Sequence, residues 1–88
     1  MAVRRADADA LAVLREHLDH IVQVSDAEVA QAMRDLFTDT HNVAEGAGAA
    51  AFAAAMQARA RLADQVVGVT LCGGNVDASV FAQVLSER

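Results

Sequence analysis

Eighty-eight residues, 55% of them hydrophobic but 21 of them alanine, with three phenylalanines and neither tryptophan nor tyrosine, make one small domain at most. A chain of this size buries only about 60 to 65% of the surface it exposes when unfolded, so it is expected to be marginal alone or packed against something else. The net charge of −5, with no basic cluster larger than Arg4-Arg5, argues against nucleic acid or an anionic membrane as partner. All seven basic residues are arginine, so chemistry that needs a side-chain primary amine is excluded.

The N-terminus, "MAVRRADADA", places aspartates where a signal peptide needs its apolar core. Leu11, Leu14 and Leu18 then recur at helical spacing, with Asp7 or Asp9 available as N-cap, and predict a helix that could cover a sheet. "HIVQV", residues 20–24, reads as a short strand. Ser25 and Glu28 form an S-x-x-E capping box, and Val24 and Val29 occupy the two positions of a hydrophobic staple. Val29, Met33, Leu36 and Phe37 continue as one apolar stripe, which predicts a helix over 26–38.

After the polar connection "TDTHN", Glu45 and Gly46 open a segment so rich in alanine and glycine that it has no polar face before Gln57. Such a helix is normally surrounded by protein. Its most apolar part, Ala47 to Met56, is too short for a bilayer, which needs about 20 apolar residues. "VVGVTL", residues 66–71, lacks polar alternation and predicts a strand covered on both faces. Asp77 or Asn75 could then cap a last helix carrying Val80, Phe81, Val84 and Leu85. The order predicts an α/β fold in which helices surround a short parallel strand pair. A lone cysteine forms no internal disulfide, and a reducing cytoplasm is the expected compartment.

The segment "VTLCGGNVD" places a thiol, two glycines and an asparagine where a strand is expected to enter a helix. Ligands commonly bind at such corners, because backbone N–H groups and the positive end of a helix dipole converge there. Gly73 and Gly74 remove the Cβ atoms that would keep a ligand away, and Cys72 offers a small neutral donor or acceptor. A tight turn beside a buried structural thiol is the competing reading. A nucleophilic Cys72 lacks an identifiable base or cation beside it. His17 and His20 have i, i+3 spacing, but no further ligands complete a four-ligand metal set, and His41 lies in the loop before the glycines.

The stretch "VSDAEVAQAMRDLFTDTHNVAEGAGAAAFAAA" followed by "VVGVTLCGGNVD" is similar to the C-terminal part of the catalytic domain of threonine dehydratases (threonine ammonia-lyases). These are tryptophan-synthase-β-like (fold type II) pyridoxal-phosphate enzymes, a group that also holds serine dehydratases and serine racemase. "MAVRRADADALAVLREH" extends the resemblance toward the N-terminus, without a proline the family carries there. The paired motifs E-G-A-G-A-A-A and C-G-G-N specify the superfamily more than the substrate.

The resemblance implies that residues 1–88 are an incomplete, C-terminal portion of such a domain. It implies that Cys72 faces the cofactor's pyridine nitrogen, that Gly73, Gly74 and Asn75 shape the same wall, and that Glu45 with Gly46 lies close to the cofactor's ring as part of that wall. For Glu45 the alternative is a helix-start carboxylate favoured by the dipole. A neutral thiol keeps the ring a weaker electron sink than a carboxylate would, which suits β-elimination of a hydroxyl. The family's anchoring lysine and glycine-rich phosphate loop are both missing from this sequence.

The expected function is therefore a segment of a lyase that deaminates hydroxy amino acids to 2-oxo acids, inactive alone and not covalently loaded with pyridoxal phosphate. Its expected partner is the remainder of such a domain, or further copies of itself. A non-catalytic α/β ligand-binding or interaction module, and a remnant without function, are the alternatives.

Overall fold

Four helices form where local signals place them, as seen in a computed structural model that describes residues 5–87. Met1–Arg4, the beginning of the "MAVRRADADALAVLREH" stretch, and Arg88 lie outside the described residues.

Helix α1 spans Ala8–His17 and starts because the Asp7 carboxylate accepts the N–H groups of Asp9 and Ala10, both at 3.0 Å. Helix α2 spans Asp26–Thr40 behind the full capping box: Glu28 N–H donates to Ser25 Oγ at 3.1 Å, and Ser25 N–H donates to Glu28 Oε1 at 2.9 Å. It ends at His41, which adopts the left-handed conformation (φ 57°, ψ 32°) and donates its N–H to the Phe37 carbonyl. Helix α3 spans Gly46–Gln57, and α4 spans Ala78–Ser86.

The expected α/β architecture is not what forms. Among the described residues there is no strand, and residues 20–24 and 66–71 are irregular and mostly exposed, with Ile21 at 77% and Val66 at 105%. An extended segment becomes a strand only when a neighbour about 4.8 Å away takes its backbone hydrogen bonds. Neither segment has such a neighbour here, so apolar composition alone leaves both as coil. Helix α1, expected to cover a sheet, has no sheet to cover; it buries no residue and packs on no other helix.

The core is the α2–α3 interface. Val29, Ala32 and Met33 of α2 meet Ala44 and the α3 residues Ala49 and Ala53, and Val24, Leu36, Phe52, Val76, Phe81 and Val84 pack around them. The Val24 half of the predicted staple therefore joins the cluster that Val29 anchors. Small residues on α3 let the two helices approach closely, but they also leave Ala51 exposed and Ala50, Ala54 and Ala55 half-buried. Helix α4 docks on α2, where Arg34 donates through Nη1 to the Val84 carbonyl at 3.0 Å. This packing carries the loop 66–77 back across the N-terminal end of α3.

Candidate functional site: the Glu45–Gly73 corner

Glu45 is the N-cap residue of α3, in extended conformation (φ −73°, ψ 169°), yet its side chain caps no N–H of its own helix. It turns instead to the loop before α4. The carboxylate Oε2 accepts the N–H of Asn75 at 2.9 Å, while the Glu45 N–H donates to the Gly73 carbonyl at 3.1 Å. One residue thus holds two points of the Cys-Gly-Gly-Asn turn, and the bond to the carboxylate is charge-assisted.

Three glycines make that approach possible. A Cβ at Gly73 would lie 2.9 Å from Glu45 Oε1 and 3.0 Å from its Cδ. A Cβ at Gly74 would lie 2.6 Å from the Val43 carbonyl oxygen. A Cβ at Gly48, buried in the first turns of α3, would collide with the Gly73 carbonyl oxygen and lie 3.1 Å from its nitrogen. Residues 43–48 and 73–75 are therefore fitted backbone against backbone.

Of the residues singled out in the sequence, Glu45, Cys72, Gly73 and Gly74 converge here. Gly46 does not face the turn: its nearest neighbour is Val29 Cγ1 of α2, at 3.7 Å from an added Cβ. The space that side chains would fill at Gly73 and Gly74 is taken by Glu45 and Val43. Cys72 is exposed, and its Sγ lies 3.9 Å from the Ala47 carbonyl, to which it donates. The corner belongs to a loop and not to the end of a strand, and its anchor is Glu45. Asp77, not Asn75, is the N-cap of α4, with no side-chain capping bond.

Gly48 and Val43 complete the corner and were not legible as such from the sequence. The available signal was Gly48 itself. A glycine inside a helix costs about 1 kcal/mol relative to alanine, and amid so many alanines it marks a close backbone contact.

The histidines stand elsewhere on the surface. His17 Nε2 lies 3.8 Å from Glu16, and His20 Nδ1 lies 2.7 Å from Asp19. Glu28 is held below the usual carboxylate range, first by the Ser25 backbone N–H and then by the Ser25 hydroxyl; desolvation opposes them, and Gln57 adds a lesser pull downward. That shift belongs to the α2 cap and not to the corner.

Comparison with known proteins places this geometry in context. Residues 1–73 match the family described as "Pyridoxal-phosphate dependent enzyme", up to the second residue of the Cys-Gly-Gly-Asn turn. The chain is 46% identical to phenylserine dehydratase of Ralstonia pickettii over 72 residues, 81% of this chain and 22% of that protein. It is 36% identical to L-threo-3-hydroxyaspartate ammonia-lyase of Saccharomyces cerevisiae over 77 residues, 88% of this chain and 24% of that protein. Serine racemase of Schizosaccharomyces pombe shares 32% identity over 75 residues, 85% and 23% of the two chains. The chain thus spans under a quarter of the length of these curated relatives. No solved structure gives a significant match.

Proposed function

The chain belongs to the pyridoxal-phosphate dependent enzyme family, and from that premise we propose that it supplies one wall of the cofactor pocket in a lyase that deaminates hydroxy amino acids. The observation that carries this reading is the convergence of Glu45 with Cys72, Gly73 and Gly74 on one corner. When bound, the cofactor supplies the electron sink for the carbon that loses its proton.

The donor set fits one face of such a cofactor. The exposed Cys72 thiol can donate to or accept from a pyridine nitrogen without imposing a charge on it. Glu45, Gly73 and Gly74 fix the backbone that carries the thiol, and Gly46 seats the start of α3 on Val29. No lysine is present to hold the cofactor covalently or to move the substrate's proton. Further copies of this chain bring no lysine either, so the partner that completes the pocket is the remainder of a lyase domain. A reducing cytoplasm suits the exposed thiol of Cys72.

Two measurements test the proposal. Mass spectrometry of the 88-residue chain treated with pyridoxal phosphate and borohydride is expected to show no side-chain adduct; only the N-terminal amine reacts. Replacing the matching segment of the R. pickettii enzyme with this chain is expected to preserve cofactor binding, and Cys72→Asp in that chimaera to shift the cofactor's visible absorption. A stoichiometric internal adduct, or an absorption indifferent to Cys72→Asp, would overturn the reading.

A further inference from the structure

We infer that Glu45 is the positioning residue of the corner: its carboxylate, by accepting the Asn75 N–H and filling the side-chain space of Gly73, sets where Cys72 stands. The purpose of this latch rests on the cofactor-wall reading, whereas its geometry does not.

Four observations carry it. The carboxylate makes no bond to its own helix, so it is free to reach the turn. It bonds instead across 30 residues to Asn75. The Glu45 main chain makes the second bond of the pair, to Gly73, so the turn is gripped on both sides of Gly74. Finally, the backbone of the turn lies close against Gly48 on one side and Val43 on the other, where an added Cβ at Gly48 or Gly74 would collide.

Among the described residues no cation pairs with Glu45. Its charge is therefore directed at a backbone N–H and not at a salt bridge. Cys72 precedes the gripped turn directly, and its own tie to α3 is the long 3.9 Å contact with the Ala47 carbonyl. A sulfur contact of that length is too weak to place the thiol by itself. The placement of Cys72 thus depends on Glu45 acting through Gly73 and Asn75.

The test is backbone amide hydrogen exchange, read by nuclear magnetic resonance on the full 88-residue chain. In Glu45→Gln the protection of the Asn75 amide is partly kept, because the side-chain carbonyl still accepts. In Glu45→Ala, Asn75 exchanges about fivefold faster or more, the loss expected for a charge-assisted bond at an exposed site. Alkylation of Cys72 speeds up in the same variant, and exchange at Ser25, in the α2 capping box, is unchanged in both.

An Asn75 amide indifferent to Glu45 would overturn the latch, as would a wild-type spectrum without the folded α2–α3 core, or a Cys72 reactivity unmoved by Glu45→Ala. The cofactor reading fails separately, through the absorption of the chimaera.

Discussion

Phe37 of α2 and Phe81 of α4 meet edge to face, with ring centroids 5.4 Å apart and planes at 78°. Together with the Arg34–Val84 hydrogen bond, this pair attaches α4 to the rest of the fold. Edge-to-face pairs contribute about 0.5 to 1.5 kcal/mol beyond area burial. Phe81→Ala is expected to cost about 2 kcal/mol in urea denaturation, and amide exchange in α4 to rise before that in α2. Equal loss of protection across both helices would contradict the assignment.

Gly46 and Gly48 stand two residues apart in α3 and should respond to alanine in opposite ways. At Gly46 an added Cβ makes an ordinary contact with Val29, so the better helix former stabilises by up to about 0.5 to 1 kcal/mol. At Gly48 the Cβ meets the Gly73 carbonyl, a backbone atom held by the Glu45 N–H. Overpacking of that kind costs about 1 to 3 kcal/mol. Denaturant midpoints of the two variants should move in opposite directions.

His41 ends α2 in the left-handed region, where a Cβ carries a steric cost. His41→Gly relieves it while keeping the N–H bond to Phe37, and should stabilise the chain by about 1 kcal/mol. A destabilised variant would mean that the imidazole makes a contact worth more than the strain.

Acid should loosen the start of α2. The folded chain holds Glu28 ionised more tightly than the unfolded chain does, chiefly through the Ser25 N–H. The stabilisation is therefore fully present above the ordinary glutamate range and is lost as pH falls through the depressed folded value. The slope of stability against pH in that window should diminish in Glu28→Gln. An unchanged slope would place the acid sensitivity at another carboxylate.

What the sequence made legible was local. The capping box, the staple and the apolar stripe are interactions among residues three to five apart, and α2 forms where they place it, running two residues further to Thr40. The two strands depended on partners that no local pattern can supply. "HIVQV" and "VVGVTL" have the composition of buried strands, yet nothing among the described residues pairs with them.

The corner falls between these cases. Glu45, Cys72, Gly73 and Gly74 were recognisable from their motifs as one wall, but the motifs do not say which atoms join them. That Glu45 reaches across to Asn75, and that Gly48 abuts Gly73, are tertiary facts visible only once α3 and the loop are brought together.

Four of the six residues enclosed in the core are alanines. The heat-capacity increment of melting scales with newly hydrated apolar area, and single methyl groups contribute little of it. A calorimeter should therefore record a low, wide endotherm and a stability curve that bends only weakly with temperature. Larger side chains packed against α3 would sharpen it.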